Sequence, residues 1–344
     1  MRKSEVLNSL PPVLLILAAA FSAAGCGRIE GGSVAPAQDN NLLAPLALPS
    51  LEPVELSGRR LIVVATTNII GDVVGHVGGG DIELVTLMGP GQDPHSYEPS
   101  ARELAAVSEA DVIFINGWGL EEGLARVLGS LSVSPIVPVS ANITPLPLAG
   151  GAGFEGGRGD PVPDPHTWLD PHLVAQWTKN IDETLSALDP GHAAGFHQRA
   201  GEYQAALLEL MTFLDEQIAA IPEEQRKLVT NHDSLGYFAA QYNFTVVGTV
   251  IPGASTLAEP SASRLADLVA KMQEVGVCTI FAESSAGDKV ASAAAAELQG
   301  CDAVRVMTLY TGTLGPAGTT ADSYIGMMRA NVATIVDGLH DRRQ

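Results

Sequence analysis

The pattern of apolar and polar positions divides the chain from residue 59 onward into alternating strands and helices. Residues 61–65 and 112–115 are apolar throughout, which is typical of strands buried on both faces of a parallel sheet. Within 69–77, apolar residues recur every three or four positions, and this spacing predicts a helix with one buried face. By the same reasoning, further strands are predicted at 82–87, 136–139, 228–231, 245–250, 278–282 and 303–307.

The predicted helices separate these strands. Ser100 and Glu103 have the spacing of a capping box, which indicates a helix through residue 108. Residues 192–221 form a longer helical pattern that is sufficient to connect two lobes. The alternation predicts an α/β protein of two lobes, each with a mostly parallel sheet flanked by helices, joined by a single long helix. The other helices are predicted at 171–188, 234–241, 261–275, 287–299 and 322–339.

The N-terminal 58 residues do not follow this alternation. A basic start precedes an apolar stretch, 13–21, which is shorter than the roughly 20 residues that span a bilayer and is typical of an export signal. The small residues before Cys26 resemble a bacterial lipobox, so Cys26 is predicted to carry the lipid anchor; cleavage near Ala24 without lipidation is the alternative. Residues 27–58 have the composition of a flexible tether.

These patterns predict five segments and a location outside the cytoplasm. We expect a membrane-anchored protein on the cell surface or in the periplasm. The segments are a signal peptide at 1–26, a tether at 27–58, an N-terminal lobe at 59–190, a linking helix at 191–221 and a C-terminal lobe at 222–344.

Charge and cysteine content exclude two classes of protein. The chain has 19 Lys and Arg against 39 Asp and Glu, a net charge of −20, so no nucleic-acid partner is expected. Its three cysteines form no CxxC pair, which argues against a zinc finger. Cys278 begins one predicted strand, and Cys301 lies just before another. They form either a disulfide, as an oxidising compartment allows, or two buried thiols.

Three of the eight histidines lie where a ligand is expected in an α/β protein. His232 directly follows a predicted strand, His95 follows another within a short loop, and His166 precedes the helix at 171–188. The carboxyl ends of parallel strands meet at one edge of a sheet, where ligands collect. Imidazole is the commonest protein ligand for zinc and also suits manganese, copper and nickel. The three histidines therefore predict a shared metal site.

Carboxylates close to these histidines are candidates to complete the site. Glu283 follows the predicted strand at 278–282, which makes it the candidate fourth ligand; the alternative is an exposed capping or lobe-bridging carboxylate. Some of the neighbouring aspartates are expected to accept a ring N–H from a ligating histidine; these are Asp93, Asp164, Asp170 and Asp233. The remaining histidines lie on predicted helices and are interpreted as surface or capping residues; these are His76, His172, His192, His197 and His340.

Five segments of the chain resemble the solute-binding lipoproteins of zinc and manganese ABC importers. The segments read GQDPHSYEPS, DPHTWLDP, TNHDSLGYFA, FAESS and ADSYIGMMRANVATIVDGL, and the resemblance extends from about Arg59 to the C-terminus. It implies two α/β lobes joined by one rigid helix, with the metal between them. It also implies that His95, His166 and His232 are ligands, and that a monomer delivers the metal to an ABC permease and its ATPase.

The sequence departs from this family at the fourth ligand. Members often supply an aspartate where this chain has Gly312. Glu283 or a water molecule therefore remains as the candidate fourth ligand. Asp233 is a weaker candidate because it adjoins His232. Three imidazoles with at most one carboxylate favour zinc over manganese, which prefers more oxygen ligands. We expect a zinc-binding protein without enzymatic activity. The alternatives are a manganese-binding protein of the same type and a zinc hydrolase, although no HExxH motif occurs.

Overall fold

The computed structural model describes most of the chain beyond residue 42. The predicted signal peptide, with Cys26, lies outside the described residues, and so does His340. The described residues are 43–121, 123–124, 127–128, 134–148, 161–251, 253, 255–258, 261–285, 288–301 and 303–339.

The N-terminal lobe is built on a parallel four-stranded sheet. Its strands follow the order β2-β1-β3-β4, and Val63 of the central strand pairs with Leu84 on one side and Val112 on the other. Every residue of β1 is apolar and nearly all are buried, as expected of a strand covered on both faces. The elements are β1 (Leu61–Ala65), α1 (Asn68–Gly78), β2 (Ile82–Thr86), α2 (Ala101–Glu109), β3 (Val112–Ile115) and β4 (Ile136–Pro138).

Two long helices follow, α3 (Pro171–Leu188) and α4 (Ala193–Ile218). Asp170 caps α3 by accepting the backbone N–H of His172, and Pro171 takes the first helical position. The 26 residues of α4 extend over about 39 Å, and the helix packs against α3 and α1. Neither α4 nor any other helix in the described part of the chain combines the length and apolar character that a membrane crossing requires.

The C-terminal lobe repeats the topology of the first. Its parallel sheet has the order β6-β5-β7-β8, in which the second strand again lies outside the first. A disulfide joins Cys278, just before β7, to Cys301, so the first of the two alternatives for these cysteines is the one found. The elements are β5 (Lys227–Thr230), α5 (Gly236–Tyr242), β6 (Thr245–Thr249), α6 (Ala262–Val275), β7 (Thr279–Glu283), α7 (Lys289–Glu297), β8 (Arg305–Leu309) and α8 (Tyr324–Leu339).

The largest apolar core lies where the two lobes meet α4. It includes Leu61 of the first sheet, Phe281 of the second and Leu207 of α4, all buried. Trp168 and Tyr324 fill the same region, and the Tyr324 hydroxyl donates to the carbonyl of Trp168 at 2.8 Å. The two lobes are therefore joined by packing as well as by the linking helix, and the predicted fold class is confirmed.

Part of the predicted tether packs on the N-terminal lobe. Within 43–58, Leu51 and Val54 contact the apolar core, and the backbone N–H of Val54 donates to the carbonyl of Leu188 at 2.8 Å. Leu48 and Leu56 pack against the same core. This stretch therefore belongs to the lobe rather than to a free tether.

Candidate metal centre

The three histidines selected from the sequence converge on one point between the lobes. The Nε2 atom of His166 lies 3.3 Å from Nε2 of His95 and 3.2 Å from Nε2 of His232. Their exposed fractions are only 1%, 6% and 1%, respectively. Within the described residues, they form the group of potential ligands whose donor atoms all lie within 4.8 Å of one another. His95 and His166 come from the N-terminal lobe and His232 from the C-terminal lobe.

The loop after β2 presents His95 through a turn that Asp93 fixes. Oδ1 of Asp93 accepts the backbone N–H of His95 at 3.0 Å. Its Oδ2 accepts the hydroxyls of Ser96 and, across the lobes, Thr256. Pro94 restricts the backbone between the two residues. Asp93 therefore shapes the backbone of the turn that presents His95.

Asp164 orients the ring of His166. Its Oδ1 accepts both the backbone N–H of His166 at 2.9 Å and the Nδ1–H at 2.8 Å, which leaves the lone pair on Nε2. Burial raises the pKa of Asp164 to about 7, against the opposing effect of the His166 backbone hydrogen bond. A Cβ on Gly236 would lie 2.6 Å from Oδ2 of Asp164, so a glycine is required beside this carboxylate.

Glu283, the predicted fourth ligand, lies behind His232. Its Oε2 is 2.8 Å from Nδ1 of His232, and among the residues that the structure describes neither buried atom has another hydrogen-bond partner. Its Oε1 accepts the hydroxyl of Ser285 at 2.9 Å. Burial opposes ionisation of Glu283, but the charge and hydrogen bond of His232, together with the Ser285 hydroxyl and His95, lower the pKa of Glu283 to about 2. The carboxylate is thus on the side of the His232 ring opposite to the clustered Nε2 atoms.

The electrostatics of the cluster favour a bound cation. Burial lowers the pKa of His95 and of His166 to about 3, and the charges of the neighbouring histidines act in the same direction. Burial also disfavours the charged form of His232, but Glu283 outweighs this effect and raises its pKa. Three imidazolium ions cannot be accommodated at these distances. Neutral rings direct their lone pairs toward a common centre, which is the arrangement that a divalent metal ion needs.

A third Asp-Pro-His sequence shows what the tripeptide alone achieves. Oδ1 of Asp170 accepts both the backbone N–H and Nδ1 of His172 at 2.9 Å, as Asp164 does with His166. The side chain of His172 is nevertheless 46% exposed and lies at the start of α3. The tripeptide therefore fixes a local turn, whereas the metal-site geometry requires that several loops meet.

Comparisons with known proteins agree with the fold and identify the family. The family model described as ZnuA, zinc-uptake complex component A, periplasmic, matches residues 63–338. The manganese-binding lipoprotein MntA of Halalkalibacterium halodurans is 31% identical over 326 residues, covering 94% of this chain and 97% of that protein. The zinc-binding protein TroA of Treponema pallidum is 35% identical over 280 residues, covering 81% and 88%.

Solved structures show the same architecture. The periplasmic zinc-binding protein TroA of Treponema pallidum superposes with a TM-score of 0.73 at 33% identity, covering 82% of this chain and all of that one. A manganese-bound periplasmic metal-binding protein from Candidatus Liberibacter asiaticus gives a TM-score of 0.70 at 26% identity with the same coverage. From its sequence and its two-lobed fold, the chain belongs to the ZnuA family, whose relatives named above bind zinc or manganese.

Proposed function

We propose that this protein captures zinc outside the cytoplasm, between its two lobes, and delivers it to an ABC permease. The observation that carries the proposal is the convergence of three buried Nε2 atoms from both lobes, with that of His166 at 3.3 Å from His95 and 3.2 Å from His232. A binding protein needs donors that hold the ion away from water and a means of release. Donors divided between two lobes provide both, because movement of one lobe removes a ligand.

The donor set supports zinc as the cargo. In a tetrahedral site with Zn–N bonds of about 2.0–2.1 Å, the nitrogen atoms lie roughly 3.3–3.4 Å apart, close to the separations found here. Manganese prefers more oxygen ligands. The nearby carboxylates of Asp164 and Glu283 contact the Nδ1 atoms of His166 and His232 instead. Gly312 has no side chain to add.

In this proposal, Glu283 acts through His232 and is not itself a ligand. Its contact with Nδ1 favours the tautomer whose Nε2 lone pair faces the metal. A water molecule then completes the tetrahedron.

The transport role rests on relatives whose names state it. The PsaA protein of Streptococcus pneumoniae, 30% identical over 290 residues, is named a manganese ABC transporter substrate-binding lipoprotein. Relatives named for manganese and for zinc are both similar to this chain, so similarity alone does not select the metal. We infer from the same names, and from the residues around Cys26, that the protein is lipid-anchored. Cys26→Ser should release it from the membrane fraction; continued sedimentation with membranes would contradict the anchor.

Metal content is the direct test of the cargo. The protein is purified without added metal from cells grown with both zinc and manganese, and the bound metals are counted by elemental analysis. The metal-free protein is then titrated with each ion by calorimetry. We expect one zinc per chain and zinc binding that excess manganese does not displace. A protein that carries manganese from the mixed medium, or that binds neither ion, would overturn the proposal.

A further inference from the structure

A buried segment between β8 and α8 contacts the surroundings of all three histidines. We call residues 311–314 the strap; they comprise Thr311, Gly312, Thr313 and Leu314, all buried. The strap belongs to the C-terminal lobe by sequence. Most of its side-chain hydrogen bonds, however, are made with the N-terminal lobe.

Asn68, in the first turn of α1, holds the strap at two points. Its Nδ2 donates to Oγ1 of Thr313 at 2.9 Å, and its Oδ1 accepts the backbone N–H of Leu314 at 3.1 Å. Oγ1 of Thr313 also accepts the backbone N–H of Gly91, in the loop that presents His95, at 3.2 Å. One hydroxyl thus joins the strap to both α1 and the His95 loop.

The other end of the strap lies against His166 and Glu283. Nε1 of Trp168 donates to the carbonyl of Thr311 at 2.7 Å, and the Trp168 ring contacts the ring of His166 edge-on at 5.2 Å. A Cβ on Gly312 would lie 2.6 Å from Oε1 of Glu283 and 3.3 Å from Pro94. The absence of a side chain at Gly312 therefore lets the strap backbone lie directly on the residues that support His232 and His95.

We propose that Asn68 and Thr313 are positioning residues that clasp the two lobes together and so limit the rate of zinc release. This inference rests on the proposed zinc function and adds a residue-level mechanism to it. If the lobes separate, the Asn68–Thr313, Asn68–Leu314 and Gly91–Thr313 hydrogen bonds must break together with metal coordination. Their loss in a variant lowers the barrier to separation while leaving every ligand in place.

Thr313→Val tests the clasp with little change in shape. Valine removes the hydroxyl that serves Asn68 and Gly91 and keeps the side-chain volume. Thr313→Ser keeps the hydroxyl and should restore wild-type behaviour. Thr184→Val is the matched control, because Thr184 is also 1% exposed and its Oγ1 donates to a carbonyl within α3, away from the lobe junction. Asn68→Ala is a second variant that removes the clasp hydrogen bonds. Asn68 is half-buried at the start of a helix, a position that tolerates alanine.

The readout is the rate of zinc loss, measured by stopped-flow mixing of the zinc-loaded protein with excess chromophoric chelator. Thermal unfolding of each metal-free variant is measured alongside. We expect Thr313→Val and Asn68→Ala to release zinc about tenfold faster than wild type, as the loss of one to two hydrogen bonds implies. Thr313→Ser and Thr184→Val should release it at the wild-type rate.

Two results would overturn the clasp. The first is a wild-type release rate in both Thr313→Val and Asn68→Ala. The second is equal acceleration by Thr184→Val, because general loss of stability would then explain the effect. Failure of the wild-type protein to take up zinc would instead reject the proposed function.

Discussion

The Nε2 atom of His166 lies 3.2 Å from Nε2 of His232, although the two residues belong to different lobes. Each ring is fixed from behind by a buried carboxylate at 2.8 Å, Asp164 for His166 and Glu283 for His232. In the proposed zinc site, this arrangement places metal affinity under the control of residues that do not touch the metal, and it ties coordination to the relative position of the lobes.

Replacing any of the three histidines should abolish tight zinc binding without unfolding the protein. Loss of a residue that only orients a metal ligand weakens metal binding by roughly 10–100-fold. We expect each of the variants His95→Ala, His166→Ala and His232→Ala to weaken zinc binding by more than this. Calorimetric titration measures this. His172→Ala is the control, since His172 shares the Asp-Pro-His turn but lies outside the cluster. Unchanged affinity in any of the three test variants would reject that residue as a ligand.

Glu283→Gln should weaken zinc binding less than His232→Ala does. The zinc affinity of Glu283→Gln is expected to fall roughly 10–100-fold, because the variant alters the partner of His232 Nδ1 and keeps all three imidazoles. Asp233→Asn, at a buried aspartate adjacent to His232, should have a smaller effect. If Glu283→Gln costs as much as His232→Ala, Glu283 is a direct ligand. If Asp233→Asn costs more than Glu283→Gln, the assignment of the supporting carboxylate is mistaken.

Removing the disulfide should reduce stability and leave metal binding intact. Cys278 precedes β7 and Glu283 ends it, so five residues, or about 16 Å of strand, separate the disulfide from the metal centre. The double variant Cys278→Ser, Cys301→Ser should lose about 3 kcal/mol in free energy of unfolding, measured with urea on the metal-free protein. Its zinc affinity, measured by calorimetry, should equal that of wild type. A marked fall in affinity would show that the disulfide shapes the site.

Asp72 should make stability depend on pH in a direction set by its burial. Its Oδ2 accepts the backbone N–H of Tyr324 at 3.1 Å and the hydroxyl of Tyr203 at 3.4 Å, while His76 and Asp322 also face it. Burial raises the pKa of Asp72 above the value of about 3.9 for an unfolded chain. The wild type therefore loses stability as pH rises from about 3.9 through the pKa of Asp72 in the folded protein.

Asp72→Asn keeps an acceptor for Tyr324 and removes the charge, so it should escape this loss. The free energy of unfolding of Asp72→Asn, minus that of wild type, should increase as pH rises above about 4 and then level off. Urea unfolding of both metal-free proteins over a pH series measures the difference. A difference that decreases with rising pH would show that the Asp72 carboxylate stabilises the fold in its charged form.

Local sequence patterns were sufficient for most of the fold and for the histidines. The helix predicted at 171–188 has the same bounds in the structure, because Asp170 and Pro171 mark its start directly. His232 was found from its place at the carboxyl end of β5, a position that periodicity reveals.

Features that depend on contacts between distant residues could not be predicted in the same way. Glu283 was placed correctly at a strand end, but the sequence does not tell which side of the His232 ring its carboxylate faces. The composition of residues 27–58 predicts a flexible tether, but within 43–58 the adjacent lobe gives the apolar residues a surface to cover. Asn68 and Thr313 are 245 residues apart, and no local pattern connects them.

X-ray absorption at the zinc edge tests the central claim most directly. For the wild-type protein loaded with one zinc, the account predicts three imidazole nitrogens at about 2.0–2.1 Å and one exchangeable oxygen ligand from water. His232→Ala should lose one imidazole from the coordination shell. A shell with fewer than three imidazoles in the wild type, or no change in His232→Ala, would contradict a metal centre shared by the two lobes.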